Sequence, residues 1–404
     1  MSETNTSQAF APAKLAAQSG RITLILGALT AFAPFATDMY LSSFPSIARD
    51  LQSDVSKVQL SLSTFFLGLA IGQLFYGPLI DRFGRRKPLL AGILLFTMAS
   101  ALLMFSPNIQ SFIGLRFLQS VGGCVGMIVS RAVIHDLFNE KEAARALSLM
   151  MLIQGVGPIV APVLGGYVLT LGNWQAVFAF LMIFGLLCLL ATFFLLPETL
   201  PPAQRRGEPF GQVLKNFGAL LSRRAFIMPT LASSFALASL FAFISGSPFV
   251  FMELHGVSQQ HYGWLFGLNA LGMVAASQVN RMLLRRFSTQ GIFDCAVIVS
   301  VTAGAFLFAL SKTGSLPLFM VPLFIVLSCV PLLGANGTAI AMAACNGKAG
   351  TASSIVGVMQ FGIASVVSAL VGGFHNGTAY PMTGLIVASS LLAGVVLLLD
   401  RMCD

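Results

Sequence analysis

Runs of about twenty apolar residues, the length one helix needs to cross a ~30 Å hydrocarbon core, recur along this whole chain. Windows of ~19 residues place twelve spans near 22–45, 57–80, 88–106, 111–134, 144–170, 174–196, 224–252, 260–284, 291–310, 317–343, 350–374 and 379–400. The expected fold is an all-α integral membrane protein. Charged residues make up only 9% of the 404, against about 25% in a soluble domain, which excludes a soluble enzyme or a peripheral protein.

Charge placement predicts the orientation. With a cytoplasmic N-terminus, eighteen Lys and Arg residues fall on the inner side and only Arg49, Lys57 and Lys312 on the outer side. That asymmetry satisfies the positive-inside rule, with both termini cytoplasmic. It also accounts for the net charge of +9 without a nucleic-acid partner. The first twenty residues lack a signal-peptide core or cleavage site, so the first span is expected to stay uncleaved. Six scattered cysteines without a CxxC read as apolar packing residues, and His255 and His261 stand without further ligands nearby. Neither a metal nor a cofactor is expected.

The longest polar stretch, 197–223, is rich in Pro and basic residues and reads as a cytoplasmic linker. It separates a tail (1–21) and an N-terminal six-helix half (22–196) from a C-terminal six-helix half and short tail (224–404). Gly68 and Arg82-Phe83 recur as Gly272 and Arg286-Phe287, all at an offset of 204 residues. Paired six-helix halves point to a transporter with its site at the repeat interface. A channel filter is not visible, and HExxH, GxSxG and Walker motifs are missing, so an enzyme is not expected.

Between spans two and three, GPLIDRFGRR supplies Gly77, Asp81, Arg82, Gly84, Arg85 and Arg86. This resembles the G-x-L-x-D-R-x-G-R-[RK] signature of the major facilitator superfamily. The resemblance implies two pseudo-symmetric halves and a loop that latches them and breaks when the transporter changes state; a monomer is the expected form. In span five, Gly157, Pro158, Pro162, Gly165 and Gly166 resemble the antiporter motif of drug/proton exchangers, with Ala161 in place of one glycine. Small residues at this spacing let helices approach closely and bend. TDMYLSSFP in span one and RAVIHDLF after span four are similar to the bicyclomycin-resistance branch of multidrug exporters, with Ser42-Ser43 and His135 as departures. That resemblance implies a bacterial inner membrane, protons as coupling ion and an amphipathic drug, of bicyclomycin or chloramphenicol type, as cargo. A proton-coupled transporter of an amino acid or sugar is the alternative.

Asp38 is an acid inside an apolar run with no Lys or Arg nearer in sequence than Arg49. Such a residue must face protein or a water-filled cavity. Counting from the span ends puts Asp38 about 10 Å and Arg116 about 8 Å inside the same membrane face. In the superfamily fold that the 77–86 signature resembles, spans one and four both line the central cavity, so the resemblance, added to this matched depth, implies a charge pair, direct or through water. Asp38 would carry the coupling proton and Arg116 would tune it, or the two would form a structural ion pair. Thr30, Pro34 and Asp38 share one helical face with Phe35 beside it. Together with Gln119, Gln154, Asn269 and Asn336 they are candidate cavity residues. Gln73, Arg131, Asn280 and Gln360 are further polar groups inside spans, each equally suited to an interhelical hydrogen bond. Glu253 is either a second proton site or a solvated helix end.

Overall fold

The computed structural model describes residues 12–205, 210–345 and 349–402. Tail residues 1–11, linker residues 206–209, Lys348 and Cys403 lie outside the described residues. Twelve long helices follow one another: α1 (Gly20–Asp50, its helix beginning at Pro12), α2 (Val55–Phe83), α3 (Arg86–Leu103), α4 (Ile109–Leu137), α5 (Glu140–Leu171) and α6 (Gln175–Leu195). Then come α7 (Arg224–Leu254), α8 (Gln259–Leu283), α9 (Thr289–Leu310), α10 (Leu316–Ala343), α11 (Ala349–Gly373) and α12 (Tyr380–Arg401). Eleven are long and apolar enough to cross a membrane. The exception is α8, diluted by Gln259, His261, Asn269, Gln278 and Asn280, yet its 25 residues rise about 37 Å, enough to cross.

Helix starts follow from local chemistry. Asn108, Asn139, Ser258 and Ser288 open α4, α5, α8 and α9, and each side chain accepts from a backbone N–H three residues on. Such caps satisfy amides that the helix itself leaves open.

Packing repeats between the halves. In the first, α4 packs on α2 and α3, and α3 on α6; in the second, α10 packs on α8 and α9, and α9 on α12. Across the halves, α2 meets α11 and α8 meets α5, a pair of contacts exchanged by the same two-fold relation. The repeated glycines have equivalent tasks. A Cβ on Gly68 would stand 1.9 Å from Ser120 Oγ of α4, and one on Gly272 would stand 2.4 Å from the Phe324 ring of α10. Both let helix two of a half press against helix four.

Loops after even-numbered helices share one side of the bundle, called the basic side from its charge. A short amphipathic helix, Phe210–Leu221, lies there. Leu220 is buried among Phe226, Ala341, Ala352 and Ile355, so this helix packs under α7, α10 and α11.

Candidate functional site

Two prolines shape α1. Pro34 has no N–H to give the Thr30 carbonyl, and Pro45 has none for Leu41. Helical structure breaks at Ala31, resumes over Phe32–Asp38, tightens to a 3₁₀ turn over Leu41–Ser43 and resumes again at Phe44. Asp38 thus closes a seven-residue segment held between two interruptions. The glycines of α5 meet those interruptions. A Cβ on Gly157 would lie 3.0 Å from Pro34, and one on Gly165 would lie 2.0 Å from the Met39 carbonyl oxygen. Gly166 and Pro162 turn instead to α8, where a Cβ on Gly263 would press on the Pro162 carbonyl at 2.8 Å. The motif of α5 therefore clasps α1 on one face and α8 on the other.

Asp38 is 2% exposed, and its Oδ1 accepts no hydrogen bond among the described residues. It lies on the wall of a cavity of about 630 Å³ between the halves. That volume suits a drug-sized molecule. Thr30, Pro34 and Thr37 bring the same face of α1 to the cavity, and Gln154 and Pro158 bring α5. Phe66, Phe241 and Phe361 form an aromatic wall, with Phe66 edge-on to Phe241 at 4.5 Å and Phe241 to Phe361 at 6.0 Å. Apolar walls with a few placed polar groups suit an amphipathic ligand.

Arg116 stands elsewhere, and the expected charge pair with Asp38 does not form. No ion pair within 4.0 Å joins them among the described residues. Arg116 is fully buried, donates to the Ala36 carbonyl at 2.9 Å and to Gln119 Oε1 at 2.5 Å, and lies over the rings of Tyr40 and Phe65 at 4.0 and 4.3 Å. The reason is rotational. Ala36 and Tyr40, four apart, share the face of α1 that meets α4, whereas Pro34 and Asp38 share the opposite one. Equal depth does not imply the same side of a helix.

The remaining cavity candidates divide in the same way. Phe35 turns from the cavity to pack on Phe180 and Phe184 of α6, with ring centroids at 6.3 and 5.5 Å. Gln119 is sealed, donating from Nε2 to Ser100 of α3 at 2.8 Å. Asn269 bonds its own helix at Leu265, and Asn336 donates to Asn280 Oδ1 at 2.8 Å, joining α10 to α8. None of the four lines the cavity. Residues that do, and that were singled out only as polar groups inside spans, are Gln73, Arg131 and Gln360. Their signal was helical register: Gln73 falls on the Phe66 face of α2, and Gln360 adjoins Phe361. Glu253 is exposed at the far end of α7, off the cavity wall.

Opposite the basic side the halves are joined. Ser63 Oγ donates to the Ser365 carbonyl at 2.8 Å and Ser365 Oγ to the Ser63 carbonyl at 2.9 Å, tying α2 to α11. Gln259 donates to Ser46 Oγ at 3.2 Å, tying α8 to α1.

On the basic side, the segment expected as a loop is helical as far as Phe83, since the helical register of α2 continues through it, and Asp81, Arg85 and Arg86 are bound within their own half and linker. Gly84, at φ +88°, makes a turn that favours glycine, and a Cβ there would stand 2.3 Å from Glu198 Oε2. Glu198 accepts the backbone N–H groups of Arg85, Arg86 and Leu200 at 2.9, 3.3 and 3.1 Å. Arg85 bridges Asp81 at 2.5 Å and Asp136 of α4 at 3.0 Å. Partial burial pushes the Glu198 carboxyl up, but those three amides and Arg205 outweigh it and hold it below the usual carboxylate range. Arg86 donates to the Phe193 carbonyl, while Arg82 lies over Phe83 and Gly77 faces Ser354 of α11 across 3.8 Å of Cβ space.

A family model described as Major Facilitator Superfamily matches residues 26–369. The chain is 36% identical over 377 residues to a Bacillus subtilis (strain 168) protein named "Uncharacterized MFS-type transporter YdgK", covering 93% of this chain and 94% of that one. It is 32% identical to a "Bicyclomycin resistance protein homolog" of Haemophilus influenzae, over 92% of this chain and 94% of the relative. It is 27% identical to "Multidrug resistance protein MdtL" of Shigella dysenteriae serotype 1, over 91% and 92%. Among solved structures, a D-xylose-proton symporter superposes with a TM-score of 0.71 at 17% identity, over 93% of this chain and 97% of that one. A bacterial homologue of human Spinster, in an inward-facing and unoccupied conformation, gives 0.70 at 16% identity, over 96% of each.

Proposed function

This chain belongs to the Major Facilitator Superfamily, a family of small-molecule transporters, and on that premise we propose that it is a proton-coupled antiporter exporting small amphipathic drugs by alternating access. The supporting observation is Asp38 on the cavity wall, in a short helix that the α5 motif residues Gly157 and Gly165 grip at both ends. The relatives named for bicyclomycin and multidrug resistance support the same cargo class.

On this reading the basic side faces the cytoplasm of a bacterial inner membrane and the protein works as a monomer. The serine clasp between α2 and α11 closes the outer side, and the structure corresponds to the inward-facing state. Drug enters from the cytoplasm or inner leaflet and lies against the aromatic wall. Drug and proton alternate at Asp38, because a bound drug occupies the wall to which that carboxylate belongs. A proton entering down ~100 mV contributes about 2.3 kcal/mol, sufficient to bias drug outward. The 77–86 segment, tied here through Arg85 to Asp136 and Glu198, exchanges these partners for the second half when the inner side closes.

The test is proton release from detergent-purified protein in weak buffer when chloramphenicol is added. Wild type is expected to release protons and Asp38→Asn to bind the drug silently. Release by D38N would remove Asp38 from the coupling role. Release on adding D-xylose or an amino acid, but not chloramphenicol, would favour the metabolite reading, for which the symporter-like fold is the supporting observation.

A further inference from the structure

Arg131 is a cation within α4, six residues, or about 9 Å, from the helix's basic-side end at Leu137. It is exposed on the cavity wall and forms no ion pair among the described residues. Arginines inside spans are costly and mark ligand or ion paths unless they are paired. Arg116 shows how this chain treats a structural arginine: it is sealed, stacked between rings and hydrogen-bonded. Among the described residues Arg131 has none of these, and its neighbours on the wall include the neutral amides Gln73, Gln154 and Gln360.

Its depth is set by the next residue back. Ser130 Oγ donates to the Leu26 carbonyl of α1 at 3.2 Å, so Arg131 is level with Leu26. Asp38 is twelve residues further along α1, about 18 Å deeper. Asp38 is also the only carboxylate on the wall among the described residues, and at that distance it does not neutralise the guanidinium. The cavity is therefore bipolar, with an acid at its closed end, a planar cation at its mouth and an aromatic wall between.

From this juxtaposition we infer that Arg131 is the anion-recognising group of the cavity and that the favoured cargo is an aromatic or amphipathic molecule bearing a carboxylate or similar planar oxyanion. A guanidinium binds a carboxylate with two parallel hydrogen bonds, whereas an ammonium offers only a point charge. The surrounding amides supply further donors to the same group. This deepens the transporter reading by naming a substrate class, and it concerns binding alone, independently of protons or export.

The experiment is equilibrium dialysis of 9-anthracenecarboxylate and its neutral match 9-anthracenemethanol against the full chain in nanodiscs, with empty nanodiscs subtracted. Wild type is expected to bind the carboxylate at least tenfold more tightly than the alcohol. Arg131→Gln is expected to erase that preference, and Arg131→Lys to keep only part of it. A wild type without the preference, or a preference that survives R131Q, overturns the inference. Elution of each variant as a single monodisperse peak guards against misfolding, and R131K retains the test should R131Q fail to fold. Failure of the drug-export reading would appear instead as missing chloramphenicol-driven proton release, a separate measurement.

Discussion

At the scale of single residues, two arginines on one helix behave oppositely because α4 turns them to different surroundings. Arg116 enters the broken part of α1, where an open carbonyl and two aromatic faces receive it. Each charge-assisted hydrogen bond of this kind contributes about 1.5–3 kcal/mol, and a flat guanidinium alone can reach Gln119 and Ala36 while lying on rings. Arg116→Lys is therefore expected to lower stability by about 2 kcal/mol. Thermal melting in detergent checks this, and a melting temperature equal to wild type would remove Arg116 from the α1–α4 joint. Asp38 was legible in the sequence as an acid with nothing nearby to pair with. Its depth was legible as well, since rise per residue is constant along a helix. Its partner was not, because depth along two helices says nothing about which way each is rotated.

At the scale of elements, the interruptions of α1 and the glycines of α5 form one device. Pro34 and Pro45 remove the donors that would keep α1 regular, and small residues on α5 let it fit against the resulting corners. Gly165→Ala puts a methyl 2.0 Å from the Met39 carbonyl, which must shift the segment ending in Asp38. Export measured in cells is expected to fall at least tenfold, a loss of about 1.4 kcal/mol of transition-state stabilisation or more. Gly362→Ala on α11, with open space for its Cβ, serves as the matched control and is expected to retain wild-type export. Equal activity of the two variants would mean that close packing against α1 is not needed for turnover. The prolines and glycines could be read in order from the chain. That Gly165 meets Met39 while Gly166 meets Gln259 could not, since adjacent positions on a helix differ by about 100° and only packed neighbours give those directions meaning.

At the scale of the whole molecule, the halves meet through α2 with α11 and α5 with α8, and separate around the cavity. If the closed side opposite the basic one must open in each cycle, as the proposed function requires, joining it covalently should stop transport. Cysteines at Ser63 and Ser365, whose hydroxyl oxygens are 3.4 Å apart, are expected to cross-link on oxidation and to abolish export, with recovery on reduction. Export that continues in the oxidised double variant would show that this contact does not separate during the cycle. The sequence by itself determined the helical class, the number of spans, the paired halves and the presence of a costly acid within the first span. Those properties depend on composition, periodicity and run length, which the bilayer reads one segment at a time. Only the tertiary structure decided that Arg116 belongs to packing, that Arg131 opens on the cavity, that Asn269 bonds back to its own helix and that Asn336 bonds to α8. Those are questions of how twelve helices are rotated against one another, and in lipid that is settled by close packing between them, which no single segment contains.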